Sequence, residues 1–175
     1  MDNEVATVDE NGVITAVGEG TTYIKVKDQN NEVTNAIKVS VTIKNNETQP
    51  KVVGGGYYFA ALKGNGTVYT WGYNGSGQLG LGDTNNRTEP TQTNMKAVID
   101  IAAGTDHTLV LKADGTVWAT GLNNYGQLGN GTTENTNTFQ QVKLNENGDY
   151  LENIVSIAAG YTASYAVTAE GEVYG

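Results

Sequence analysis

Along residues 37–44, Ile37, Val39, Val41 and Ile43 alternate with Lys38, Ser40, Thr42 and Lys44, the two-residue period of a strand with one face in a core and one in water. Three shorter runs precede it, EVATV, GVITAV and TYIKVK, and their valine, isoleucine and threonine content predicts strands as well. Residues 9–12 and 28–31 supply the turns, Asn11-Gly12 accepting the positive φ that a tight hairpin demands. Residues 1–44 therefore read as one small β unit. The polar stretch 45–52, NETQPK at its centre, contains Pro50 and has no apolar period, so it reads as a linker.

From residue 53 onward the apolar pattern repeats. Residues 66–82, GTVYTWGYNGSGQLGLG, return 49 residues on (115 − 66) as GTVWATGLNNYGQLGNG over 115–131. The segment leading into them occurs three times, as GGYYFAALKGNG, GTDHTLVLKADG and GYTASYAVTAEG. Apolar runs at 57–62, 67–71, 98–103, 108–112, 116–120 and 154–159 predict strands joined by glycine turns, with a weaker fourth strand among the polar residues that follow each glycine-rich loop. Self-similarity at a period near 50 residues is the signature of a propeller or solenoid.

The glycines at fixed offsets mark backbone that needs positive φ or that another segment approaches closely. Leu79 and Leu128 read as buried plugs. Gln78 and Gln127 are placed to hydrogen-bond backbone groups that tight loops would otherwise leave unpaired. These residues carry a resemblance to the regulator of chromosome condensation repeat, whose W-G-x-N and G-Q-L-G-x-G pattern is met by Gly72, Asn74, Gly77, Gln78, Leu79, Gly80 and Gly82. It is met again by Gly121, Asn123, Gly126, Gln127, Leu128, Gly129 and Gly131. The resemblance covers residues 53–175 and implies a seven-bladed β-propeller. Residues 5–24 in turn resemble the second half of a bacterial immunoglobulin-like domain of group 2.

The fold expected is all-β: a partial immunoglobulin-like β-sandwich over 1–44, a linker over 45–52, and about two and a half blades of a β-propeller over 53–175. On this reading the chain is a fragment of a larger protein, marginal or aggregation-prone alone because its blades leave open edges. Three departures from the repeat stand out. Thr120-Gly121 replaces Trp71-Gly72; Tyr58 and Ala163 stand where the second copy has His107; and the second interval is 56 residues (171 − 115), with 145–149 the expected inserted loop.

Composition narrows the chemistry. The 175 residues carry 10 lysines and arginines against 19 acids, a formal charge of −9, which repels phosphate backbones and anionic membranes and sets nucleic-acid binding aside. The chain has no cysteine, which removes thiol catalysis, cysteine zinc sites and disulfides. No apolar run is long enough for a membrane helix, and MDNEVATVDENG lacks the basic and apolar parts of a signal peptide, so an export signal is expected outside this sequence.

Candidate sites are few. His107 is the single histidine; with no nucleophile elbow beside it, it reads as a packed structural imidazole, Asp106 notwithstanding. Asp28, Asn30 and Glu32 have alternating oxygens, yet Val33 stands where a calcium loop needs glycine, so a hairpin turn is expected. Asp83, Asp100 and Asp114 are expected in turns or solvent. Sequons occur at Asn46, Asn65, Asn74, Asn86 and Asn130, all explicable as turn composition. Tyr69, Trp71 and Trp118 are expected in blade packing, and Tyr73 and Tyr125 free in loops. No catalytic, cofactor or metal residue is therefore singled out.

The function expected is a non-enzymatic binding, adhesion or scaffold module of an exported bacterial cell-surface protein, its propeller presented on immunoglobulin-like spacers. Its partners would be a protein or carbohydrate and the remaining blades of a longer chain. The alternative is a regulatory propeller resembling a guanine-nucleotide exchange factor for a small GTPase.

Overall fold

The computed structural model describes residues 6–8, 14–16, 20–27, 33–41, 48–145 and 147–175. The chain divides into two units, Met1–Asn45 and Asn46–Gly175, and the described residues form strands and loops with no helix.

In the first unit, β1 (Ala6–Val8) pairs antiparallel with β2 (Ile14–Ala16), and β3 (Gly20–Lys27) with β4 (Val33–Val41). These are the four runs that the valine and isoleucine pattern predicts. Lys38, opposite Tyr23, is exposed, as the alternation requires of the wet face. The expected turns at 9–12 and 28–31, and with them Asp28, Asn30 and Glu32, lie outside the described residues.

The second unit holds two four-stranded antiparallel sheets and one of three strands. The first is β5 (Lys51–Gly54), β6 (Tyr58–Leu62), β7 (Val68–Gly72) and β8 (Arg87–Gln92); the second is β9 (Val98–Ala103), β10 (His107–Lys112), β11 (Val117–Gly121) and β12 (Thr136–Gln141). The third is β13 (Ile154–Ala159), β14 (Ser164–Thr168) and β15 (Val173–Tyr174). Strands follow one another in sequence order within each sheet, the meander of a propeller blade. Lys51 and Val52, read from sequence as the end of a linker, belong to β5, because their pairing with Leu62 and Ala61 outweighs a polar local context.

Apolar side chains are buried between blades rather than within them. Val110 packs with Ala60, Leu62, Val68, Ile101 and Phe139 on the side of the first blade. Leu109 and Leu111, pointing the other way, pack with Leu128, Leu151, Ile154 and Ile157 on the side of the third sheet. Successive strand residues face opposite sides, so β10, covered on both, is buried from His107 to Leu111. Each fully buried leucine or valine contributes roughly 1.5–3 kcal/mol. On the open side of the first blade, Phe59 stacks on Trp71 at 5.6 Å between ring centroids. Lys63 lies 5.4 Å over Tyr69, and Lys112 lies 5.8 Å over Trp118 at the equivalent place in the second blade.

Residues 142–153 join β12 to β13 and form a small turn of their own. Lys143 bridges Tyr150, and Leu144 N–H donates to the Asp149 carbonyl at 2.7 Å. The inserted loop expected there is on the surface, with Leu144 and Tyr150 exposed.

Candidate functional site

The meander places the loops 55–57, 73–86, 104–106, 122–135 and 160–163 at one end of the sheets, and the loops 63–67, 93–97, 113–116, 142–153 and 169–172 at the other. Their chemistry differs. The second end carries most of the charge, including Lys96, Asp114, Asp149, Glu152 and Glu170. The first carries Tyr57, Tyr73, Tyr125 and Tyr161 among glycine, asparagine and threonine. Tyr57 is 83% exposed, Tyr125 77% and Tyr161 79%.

The long loops at the tyrosine end are built twice on one plan. The Asn74 side chain is fully buried: its Nδ2 donates to the carbonyls of Asp83 and Asn85 at 2.9 and 3.1 Å, and its Oδ1 accepts from Leu79 N–H at 3.0 Å. Asn123 repeats this with Thr132, Glu134 and Leu128 at 2.9, 3.1 and 2.9 Å. Asn86 Oδ1 accepts from Asn74 N–H, and Asn135 Oδ1 from Asn123 N–H. One amide thus fills the bonding capacity of a whole loop. The Asn74 sequon is buried structure, and Asn65 and Asn130 close turns through Thr67 and Thr132.

Gln78 and Gln127 do what the sequence predicts: their Oε1 atoms accept from Ser76 N–H at 2.9 Å and Tyr125 N–H at 3.0 Å. Leu79 and Leu128 are fully buried. Asp83 accepts from Asn85 N–H and pairs with Arg87 at 2.7 Å, and the Arg87 hydrogen bond is the main cause holding its carboxyl below the usual range. Asp100 pairs with Lys51 at 2.8 Å. Asp114 closes a turn through Thr116, whose hydroxyl bond is the chief reason its pKa falls to about 2.

Between blades, a hydroxyl of one sheet meets a carbonyl of the sheet before it. Thr108 Oγ1 lies 2.7 Å from the Gln78 carbonyl and 2.9 Å from the Tyr58 hydroxyl, which itself donates to the His107 carbonyl. Burial pushes the Tyr58 phenol up, keeping it neutral. One repeat later Ser164 Oγ donates to the Gln127 carbonyl at 2.6 Å and lies 3.0 Å from His107 Nε2. With its only proton committed to the carbonyl, Ser164 accepts from His107, which is therefore the Nε2–H tautomer.

His107 is fully buried, and burial pushes its pKa down to about 4, opposed by the Ala163 backbone. Its Nδ1 has no partner among the described residues and faces Gly104, where a Cβ would lie 2.3 Å from it. His107 thus sits in a seam between sheets with a neutral ring. Thr120, standing where the first blade has Trp71, is also buried; its hydroxyl lies 2.9 Å from the Gly77 carbonyl of the first blade and 3.0 Å from that of Thr136. A hydrogen bond replaces an aromatic contact there, which sequence reasoning missed because threonine carries no signature of its partner.

The loops at the tyrosine end are also stitched across blades. Gly56 N–H donates to the Thr105 carbonyl at 2.9 Å, and Thr105 N–H to the Tyr161 carbonyl at 3.4 Å. Among the described residues no group of three or more His, Asp or Glu could hold a metal ion. The arrangement can present rigid tyrosines on a surface whose charged loop residues are Asp83, Asp106 and Glu134.

Family models described as the regulator of chromosome condensation (RCC1) repeat match residues 65–111 and 114–167, and 51–78 and 98–127. A model described as a bacterial Ig-like domain matches residues 2–45. Among curated proteins the chain is similar to the human probable E3 ubiquitin-protein ligase HERC3, 38% identical over 61 residues, which is 33% of this chain and 6% of that protein. Among solved structures it is similar to human WBSCR16, with TM-score 0.63 and 25% identity over 85% of this chain and 37% of that one.

It is also similar to Prp20p from Saccharomyces cerevisiae, with TM-score 0.61 and 22% identity over 97% of this chain and 40% of that one. The chain spans about two fifths of the length of these solved chains. The paired repeats, their shared loop plan and the matched spans agree, and the chain belongs to the regulator of chromosome condensation repeat family.

Proposed function

We propose that this chain is a protein-binding module that engages its partner through the tyrosine end of the propeller unit. The observation that carries this is the exposure of Tyr57, Tyr125 and Tyr161 on loops held by buried asparagines and inter-blade hydrogen bonds. Tyrosine supplies broad amphipathic contact area at low entropic cost, and a scaffold rigid before binding loses little freedom on association. A polypeptide partner is favoured over a carbohydrate because the Asn74, Asn86, Asn123 and Asn135 amides that would orient sugar hydroxyls are spent inside the loops.

The reading is non-enzymatic: the one imidazole is neutral, buried and bonded to Ser164. The bacterial Ig-like match over residues 2–45 supports presentation at a bacterial surface. Protease shaving of intact cells that express the full open reading frame tests this; a product protected until lysis counts against it.

The binding reading is tested by cross-linking partners to the chain and to a variant carrying Tyr57→Ser, Tyr125→Ser and Tyr161→Ser. Partners lost by that variant and kept by Lys96→Glu at the charged end support it. Equal recovery by both variants overturns it.

A further inference from the structure

The seam between the first and second blades carries a groove of about 320 Å³ at the tyrosine end. It is lined by Gly75, Ser76 and Thr84 of the first blade and by Asn135, Thr136 and Asn137 of the second. Each of these blades has its four strands, so both walls are whole. The walls are also fixed to each other. Gly82 N–H donates to the Asn137 carbonyl at 2.8 Å, and the Thr120 hydroxyl lies between the Gly77 and Thr136 carbonyls. A groove held in shape before binding loses little freedom when a ligand enters.

Its polar groups divide into spent and unspent. Thr136 gives its hydroxyl proton to the Thr138 carbonyl at 2.8 Å, and Asn135 accepts from Asn123 N–H at 2.8 Å, which leaves its side-chain N–H groups free. The Ser76 and Thr84 hydroxyls and both ends of the Asn137 amide have no partner among the described residues. A carboxamide sets an acceptor beside its donors, and a hydroxyl can act as either. No charged side chain lines the groove, and the neighbouring Asp83 is paired with Arg87 at 2.7 Å. Such walls suit a neutral ligand whose adjacent groups each donate and accept, which describes the vicinal hydroxyls of a sugar. The volume stands at the small end of the roughly 300–1,000 Å³ of small-molecule sites. The Tyr73 ring, 44% exposed, lies against Gly75 on the groove wall, where a Cβ would collide with the phenol. It offers an aromatic surface to the apolar C–H face of a pyranose. The second loop has Leu122 and Asn124 at these two places and lacks the arrangement.

We propose that this groove is a monosaccharide site, in which a neutral pyranose sets two adjacent hydroxyls on the Asn137 amide and meets the Ser76 and Thr84 hydroxyls. The site goes beyond the protein-binding reading and does not rest on it. It uses none of Tyr57, Tyr125 and Tyr161, and Asn137 is not among the asparagines spent inside the loops.

The test follows the side-chain amide resonances of Asn135 in the full chain by NMR, with those of the exposed Asn94 at the charged end as the control. The probes are methyl β-glucoside, methyl β-galactoside and methyl N-acetyl-β-glucosaminide. At least one of them should shift Asn135 saturably and leave Asn94 still, and glycerol at the same concentrations should not. Asn137→Leu and Thr84→Val remove unspent polar atoms with little change of volume, and each should weaken the response about tenfold, the scale of a lost hydrogen bond. Neither side chain bonds to the rest of the fold, so both variants should keep the urea midpoint of the parent. Silence of Asn135 toward all three glycosides, an equal response to glycerol, or an unweakened response in either variant overturns the site. The variant carrying Tyr57→Ser, Tyr125→Ser and Tyr161→Ser should bind the glycoside as the parent does, whether or not it loses its protein partners. Loss of the glycoside response in that variant would put the sugar on the docking loops and overturn the groove.

Discussion

Ser164 donates its hydroxyl proton to the backbone carbonyl of Gln127 at 2.6 Å, across the seam between the second blade and the third sheet. The contact stands one repeat on from that between Thr108 and Gln78. Replacing Ser164 with alanine would leave both the Gln127 carbonyl and His107 Nε2–H unmatched. The expected loss is about 1–3 kcal/mol, read as a lower urea midpoint of the full chain. Ser164→Thr, which restores the residue of the first seam, should stay near the parent. An alanine variant as stable as the parent would show that the seam is held by apolar contact alone.

Acid should weaken the chain through His107. Its folded pKa is about 4, against an ordinary value of 6.5, so the unfolded state binds more protons between these values. Stability is whole above pH 6.5 and falls as pH drops toward 4, by about 3 kcal/mol for a shift of this size. Asp114, held at about 2, loses its contribution in a separate, lower window. Denaturant midpoints across pH 4–7 should slope in the parent and flatten in His107→Gln; parallel slopes would assign the effect elsewhere.

Gly77 and Gly126 are equivalent loop glycines with φ of +83° and +78°. A Cβ on Gly77 would lie 2.6 Å from Asn137 Cα in the next blade, whereas one on Gly126 meets nothing within 4 Å. Gly126→Ala should therefore cost only the left-handed backbone penalty, about 1–2 kcal/mol. Gly77→Ala should lose a further ~1–3 kcal/mol from overpacking the seam. Equal losses in thermal unfolding would mean the blades can part without cost.

The Lys51–Asp100 pair, at 2.8 Å with side chains 43% and 28% exposed, should matter little. Lys51→Met is expected to shift stability by less than about 1 kcal/mol. A larger loss, fading in high salt, would make this pair a true clasp of β5 to the second blade.

Much of this was legible in the chain because the repeat is written in residues with narrow physical uses. A glycine required by its φ, a leucine plug and a glutamine closing its own loop can be recognised from type and spacing. The contacts of Thr120, Thr108 and Ser164 could not, since a hydroxyl suits many partners and only the packing of one sheet on another chooses among them. The β5 strand hid for a related reason: its pairing is supplied by β6, and nothing in KVVG announces it. The bonding capacity of Asn74 was obscured too, because its sequence context reads equally as a surface turn.

The seam contact also has a direction. In both seams the earlier blade offers a backbone carbonyl and the later sheet receives it with a hydroxyl, so the two sides of the second blade are unlike. A contact of this kind joins two unlike surfaces, which makes it heterologous, and it cannot lie across a twofold axis. The order of the blades is therefore written into the seams as a polarity, and a dimer of twofold symmetry would have to be built from a different surface.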